Sequence, residues 1–394
     1  MRIDIKTARI LTSEEARETL LLFRNQRDDP LAIQESFRGM FPKKTAEALG
    51  ELRALRRRAV QKFTQGLDMF FTKEQLEQAS SEDVARYRAE RFRKAGFSKV
   101  HDVCCGIGSD SIALARAGLK VFAVDKEPSA VHFGAANAEV CGVEGIEFLL
   151  ADVNEASPEA GPIFLDPSRR RGSRRIMSPD DWSPAPARVA EILEGRPGAG
   201  IKLSPAVHVE ELLEKFPPPG EIEVISLHGE AKETVFWYGK LASGVERRAT
   251  ALPAEESFGG GANGQAVVGE LDEFLYDPDP SLIVAGLLGA FASENRLAAL
   301  DPEIGYLTGA KKVESAFVDR FKVLACETLD PRKLKAVLRG LKVGRLQIRK
   351  RGIAERPATL EQRFLPKPFG DREVTLLATR IGDRHLGIVA EPAE

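Results

Sequence analysis

The chain has 394 residues, 43% of them hydrophobic and 29% charged, with a formal net charge of −2 at pH 7. That length calls for two or three domains, and the near-neutral charge excludes a uniformly basic nucleic-acid coat. Four cysteines without paired spacing exclude a disulfide scaffold, and no run of about eighteen apolar residues marks a membrane helix.

Residues 1–97 read as a helical segment. The opening MRIDIKTARILTSEEAR lacks the apolar core of a signal peptide, so a cytoplasmic location is expected. Thr12-Ser13-Glu14-Glu15 offers a cap to ARETLLLF. The long periodic stretch KKTAEALGELRALRRRAVQKF puts Leu52, Leu55 and Val60 on one side. SSEDVARYRAERF again starts from serine and acids and runs into a helix pattern. Phe70-Phe71, between these helices, read equally well as a core staple or as a cover for a ligand.

Residues 98–245 alternate strands with helices. Strands are expected at 99–105, 120–126, 146–152, 162–166, 200–204, 221–227 and 234–240, with helices at 110–117 and 129–140. Seven strands fit an open doubly wound sheet with the first five parallel. HGEAKE, between the last two, is too short for a helical crossover and predicts a hairpin. Trp237-Tyr238 on the last strand read as packing, and His208 and His228 as polar residues at strand ends.

Residues 246–320 form a mixed connecting segment. FGGGANGQ (258–265) is a flexible loop by composition, and YDPDP (276–280) breaks the chain before the helix-like SLIVAGLLGAFA. Residues 321–394 read as a small basic α/β domain. Between 331 and 372 there are thirteen Lys and Arg against three Asp and Glu, a local +10 on a chain of net −2. KLKAVLRGL is a cationic helix, GRLQIRKRG an edge strand or hairpin, and VTLLATRI and HLGIVAE further strands.

The chemistry starts at DVCCGIG. Asp102 ends a strand, and Gly106 and Gly108 turn the chain without β-carbons, letting backbone approach a ligand at a helix N-terminus. Cys104-Cys105 read as two small side chains at a strand end. Seventeen residues after Gly108 the second strand ends in Asp125, and the third ends in Asp152, within LLADV. Three acids therefore line the carboxyl edge of the sheet, where open α/β folds bind nucleoside cofactors. A dinucleotide would require a fuller GxGxxG, and position 111 is Ser111. S-adenosylmethionine carries an ammonium, a ribose diol, an adenine amine and a sulfonium, all suited to acids, and has no pyrophosphate. It is the expected cofactor. The five histidines show no ligand spacing, and no metal is expected.

The fourth strand runs into PIFLDPSRRRGSRR. Asp166-Pro167 sets an acid and a rigid turn beside the cofactor edge, with Ser168 next, so Asp166 is placed to orient or deprotonate a methyl acceptor. Arg169, Arg170 and Arg171 follow, available to phosphates of a nucleic acid, as are Arg345, Arg349, Lys350 and Arg351 in the basic domain.

SSEDVARYRAERF, DVCCGIGSDSIALA, FAVDKEPSAVHFGAANAEVCGV and EFLLADV together resemble class I S-adenosylmethionine-dependent methyltransferases, most closely the trimethylguanosine synthase branch of RNA methyltransferases. YDPDP, IGYLTG and LKVGRLQIRKRG resemble the THUMP-like domain that accompanies such enzymes. The resemblance spans roughly residues 70–394. It implies that Asp102, Gly106 and Gly108 hold the methionine end, Asp125 the ribose and Asp152 the adenine amine. It also implies that Ser80 lies near the cofactor carboxylate. Where that branch carries a Pro-Pro-aromatic motif to stack its base, this chain has Asp166-Pro167-Ser168-Arg169.

The expected molecule is a seven-stranded Rossmann-like class I methyltransferase sheet with an N-terminal helical segment and a small basic C-terminal α/β domain. Its expected reaction is methylation of a base in a structured RNA (tRNA or rRNA). A methyltransferase of small molecules or proteins, and a non-catalytic RNA-binding protein that uses the cofactor, stay open at this point.

Overall fold

The computed structural model describes residues 3–24, 30–168, 178–206, 209–261 and 264–393, and the backbone of 170–171 and 174–175. Two compact units divide the chain, one holding 1–222 and 233–244, the other 223–232 and 245–394.

The first unit opens with α1 (Ile5–Leu11), α2 (Glu14–Leu22), α3 (Pro30–Met40), α4 (Lys43–Ala59), α5 (Lys73–Gln78) and α6 (Glu82–Lys94). Ser13 caps α2 through Ala16 N, as its sequence suggested. Leu52 and Leu55 of α4 are buried, but Val60 is 48% exposed. Val60, the C-cap, keeps helical dihedrals, but with 3.6 residues per turn it stands roughly 140° around the axis from Leu55, off the buried face. Phe70 and Phe71 belong to the core of these helices, and Phe70 stacks on Phe133 with ring centroids 6.3 Å apart.

The sheet follows with β1 (Lys99–Val103), α7 (Ser109–Arg116), β2 (Lys120–Asp125), α8 (Pro128–Val140), β3 (Ile146–Leu150) and β4 (Ile163–Leu165). The short β5 (Arg170–Arg171) and β6 (Arg174–Arg175) pair with each other. Then come α9 (Pro186–Leu193), β7 (Gly198–Leu203), α10 (Val209–Leu213), β8 (Glu221–Leu227) and β9 (Glu230–Gly239). The strand order is β3-β2-β1-β4-β7-β9-β8, and beyond β8 the same sheet takes two further strands, at 247–252 and 256–260, making nine where seven were expected. The first five of these run parallel, and β9 is antiparallel to β7. The short connection does form the predicted hairpin, whose tip, 223–232, groups with the second unit. His228, at φ 53°, and Gly229, at φ 74°, make its turn. Trp237 is fully buried against Phe92. His208 lies outside the described residues.

Asn137 ties the helical segment to the glycine turn. Its amide accepts from Phe70 N (2.7 Å) and donates to Phe70 O (3.0 Å) and Ile107 O (3.1 Å) from a fully buried position. A buried amide satisfied three times fixes where the turn sits relative to α8.

The second unit holds β10 (Arg247–Leu252), β11 (Glu256–Gly260), β12 (Phe274–Pro278), α11 (Pro280–Val284), α12 (Leu288–Asn295), β13 (Ala298–Ala299) and β14 (Leu307–Gly309). It continues through β15 (Val318–Thr328), α13 (Pro331–Gly340), β16 (Val343–Lys350), α14 (Pro357–Phe364), β17 (Arg372–Ile381) and β18 (Arg384–Pro392). Its larger sheet has the order β13-β14-β12-β15-β18-β17-β16, with β16 at the edge. Phe258-Gly259-Gly260, expected in a loop, instead lie in β11, laddered to β10 from Ala251↔Glu256 to Arg247↔Gly260. Composition reports the freedom of an isolated segment; a neighbouring strand with open hydrogen-bonding groups overrides it. SLIVAGLLGAFA divides into α11 and α12 at Gly286, which sits at φ 71°.

Candidate active site

Every parallel strand of the first unit delivers a charged side chain at or just past its carboxyl end. They are Asp102 from β1, Asp125 from β2, Asp152 after β3, Asp166 after β4 and Lys202 near the end of β7. The turn after β1 is tight. Cys104 adopts φ 62°, Gly106 φ 55° and Gly108 φ 80°, the last capping α7. A left-handed cysteine is strained, at a cost of order 1–3 kcal/mol, and such strain gathers at ligand sites. A β-carbon on Gly108 would press on Phe148 at 3.2 Å, whereas one on Gly106 would meet nothing within 4 Å. Gly108 is thus small for packing, and Gly106 leaves an open cradle.

Asp102 is 1% exposed, and its carboxyl accepts from the Ser111 hydroxyl. Burial pushes its pKa well up and the nearby Asp110 adds to that, against the Ser111 hydrogen bond. Ser111 stands where a dinucleotide fold would carry its third glycine, and the structure gives that departure a task. Asp125 is half-buried. Its carboxylate accepts from Gly106 N and Glu127 N, each at 2.9 Å, and burial outweighs those bonds to raise its pKa. Asp152 accepts from the backbone and side chain of Asn154 (2.9 and 2.7 Å).

Asp166 meets Lys202, whose ammonium lies 2.5 Å from its carboxylate. Pro167 is buried behind it, and Ser168 exchanges two backbone hydrogen bonds with Ser183 (2.9 and 3.0 Å). Next to this pair is a buried ion network. Arg88 bridges Asp110 and Glu233, and its guanidinium lies over Phe164 at 4.8 Å. Ser80 stands inside the network, accepting from Arg88 (2.7 Å) and donating to Asp110 (3.0 Å), so its hydroxyl is engaged away from solvent. Lys202, Arg88 and Asn137 were not singled out from sequence, and Ser111 only as a departure from the dinucleotide pattern. Lys202 in GAGIKL and Asn137 in GAANA had a signal, a polar residue in an apolar stretch, whereas Arg88 is one of many charges in α6 and had none.

The arginine-rich loop gives less. Arg169 and the side chains of Arg170 and Arg171 lie outside the described residues. In the second unit Arg345 is exposed, 3.6 Å from Glu373. Arg349 is held by Asp277 (2.9 Å) and Asp319 (2.6 Å), and Arg351 by Asp277 (2.8 Å) with Tyr306 beneath it. Lys350 donates to Ile353 O at 2.9 Å. These three fasten the unit's own strands and loops.

Among the described residues the donor set is carboxylates around an open glycine cradle, which suits a cationic ligand with a diol. Comparison with known proteins decides the class. An uncharacterized S-adenosylmethionine-dependent methyltransferase of Mycobacterium tuberculosis is 33% identical over 341 residues, covering 85% of this chain and 92% of that protein. The chain belongs to the S-adenosylmethionine-dependent methyltransferases. Residues 97–176 of this methyltransferase match the RNA cap guanine-N2 methyltransferase family, and residues 318–392 match the THUMP domain-like family. A crystal structure from Porphyromonas gingivalis, described as a methyltransferase, superimposes over 100% of both chains with a TM-score of 0.77 at 22% identity; this shows a shared fold. A 23S rRNA (uracil(1939)-C(5))-methyltransferase of Shewanella amazonensis is 36% identical over 77 residues, 18% of this chain and 17% of that one. Among the described residues no group of side chains could hold a metal ion, and no helix is long and apolar enough to cross a membrane.

Proposed function

We propose that this methyltransferase modifies a base in a structured RNA. The observation that carries the reading is one chain joining two modules: a sheet matching an RNA cap methyltransferase family and a THUMP-like unit with a local +10. The short match to an rRNA methyltransferase supports it.

In this reading Asp102, Gly106 and Gly108 hold the methionine end of the donor, Asp125 the ribose and Asp152 the adenine amine. S-adenosylmethionine, when bound, supplies an electrophilic methyl group on a sulfonium. Asp166 orients the acceptor and takes its proton as the new bond forms, with Pro167 and Ser168 fixing the turn that presents it. The base has to be unstacked or already single-stranded to reach this edge.

The phosphate-facing surface centres on α13. Arg332, Lys335 and Arg339 recur at i, i+3 and i+7 along one side of the helix. Leu334 and Leu338, on the opposite side, are fully buried. No acid lies within the helix. Arg345, exposed on β16, and Arg169, Arg170 and Arg171 of the catalytic unit add further cations. The test is transfer of labelled methyl to RNA from a strain lacking the gene, with label on RNA expected and label on protein or small molecules overturning the assignment.

A further inference from the structure

Lys202 is a charged residue in an apolar strand. Along β7, Ile201 and Leu203 point into one core, and Lys202 points to the opposite face, toward α6 and α7. Its side chain is 13% exposed and that of Asp166 33%. Carrying an ammonium to such a place costs several kcal/mol unless it is paired. Asp166 Oδ2 pairs it at 2.5 Å, and Gln78 O receives a second, longer bond at 3.3 Å. Among the described residues, the charged groups that act on it most are Asp166, Asp110 of α7, Arg88 of α6 and Glu233 of β9. Burial alone would lower the Lys202 pKa, yet Asp166 and Asp110 raise it above the usual lysine value. The ammonium therefore stays charged, and Asp110 is fixed in turn by Arg88 and Ser80.

We propose that Lys202 is a positioning residue for methyl transfer, its ammonium locking the Asp166 carboxylate in the orientation that meets the acceptor. This rests on the reading of Asp166 as the acceptor-side acid. Neighbouring parallel strands supply the two groups, with Leu165 and Ile201 in register one residue before each. Asp166 alone, after a three-residue strand and before Pro167, has rotamer freedom that a catalytic group must lose. The ion pair removes it. As the acceptor bonds to the methyl carbon, the carbon–sulfur pair stays on sulfur and the acceptor's proton passes to Asp166 and then to water. Lys202 keeps its own proton throughout.

The test compares K202M, K202R, D166N and the K202M/D166N double variant, using tritiated donor and total RNA from a strain lacking the gene. K202M is expected to lose at least tenfold in kcat, with KM for the donor and the calorimetric Kd for S-adenosylhomocysteine within twofold of the parent. K202R recovers most of the rate, and the double variant is no slower than D166N. Activity of K202M within twofold of the parent, or multiplicative losses in the double variant, overturns the proposal. A crystal structure of K202M gives a readout independent of RNA. A reoriented Asp166 carboxylate is expected there, and an unmoved one overturns positioning. If the parent labels no RNA, the RNA reading fails while this structural arm still decides the role of Lys202.

Discussion

At the scale of single residues, the carboxyl edge separates two kinds of acid. Asp102 is buried and Asp125 half-buried, and both are raised in pKa, whereas Asp166 is paired to an ammonium. Asp125→Ala is expected to remove hydrogen bonds to a bound hydroxyl pair and weaken S-adenosylhomocysteine binding by roughly tenfold to a hundredfold, from ~1.5–3 kcal/mol per charged hydrogen bond. Asp166→Ala should keep that Kd within a few-fold and lower transfer by about 10²–10⁴-fold. Equal loss of both in Asp166→Ala would instead place it in the donor site. Calorimetry beside a methyl-transfer assay separates the two outcomes.

Asp102 gives a pH prediction. Its folded-state pKa lies above its unfolded value, so its contribution to stability is complete below the ordinary aspartate range and declines as pH rises toward the folded pKa. A ligand ammonium favours the ionised form. Binding of S-adenosylhomocysteine is therefore expected to release a proton, and affinity to rise with pH until Asp102 is ionised in the free protein. Titrations in two buffers of different ionisation enthalpy measure that proton. Asp102→Asn should abolish it, and proton uptake by the parent would contradict the account. Arg88→Met, which strands two buried carboxylates, is expected to cost about 3–5 kcal/mol of stability in denaturant unfolding.

At the scale of elements, the edge strand β16 and the helix α13 share a basic sequence yet serve different ends. Arg349 and Arg351 are neutralised by Asp277 and Asp319, so Arg349→Gln should lower the melting temperature more than it lowers RNA affinity. Reversing Arg332, Lys335 and Arg339 to glutamate should weaken RNA binding and reduce the salt slope, by about 0.7–0.9 for each phosphate no longer neutralised. Anisotropy across a salt series measures both. An unchanged slope in the α13 variant would remove that helix from the interface. Charge density along the chain does not separate these two groups, because it says nothing of acids brought in from β12 and β15. The helices, the parallel strands and the terminal hairpin were legible, because their hydrophobic periods are local. Where expectation failed, at Val60 and at Phe258-Gly259-Gly260, the deciding fact was the angle around the helix axis or a partner strand.

At the scale of the whole molecule, the glycine-and-acid edge was legible because each acid closes a hydrophobic run of its own strand. Lys202 and Ser111 were not, because their meaning depends on which strand or helix lies alongside. A lysine in GAGIKLS is informative only once β4 is known to neighbour β7. The same holds for Ser80, whose hydroxyl serves the Arg88–Asp110 network in this structure. Family membership settles the donor; the proposed RNA acceptor rests on the pairing of an acidic donor edge with a unit that carries a cationic helix.

The most direct measurement of that claim incubates the full chain with tritiated S-adenosylmethionine and fractionated RNA from a strain lacking the gene, followed by nucleoside mass spectrometry. The account predicts one methylated nucleoside that is absent from the deletion strain, restored by the parent protein and not restored by Asp166→Ala. Label confined to protein or small molecules, or a nucleoside profile identical in the two strains, would contradict it.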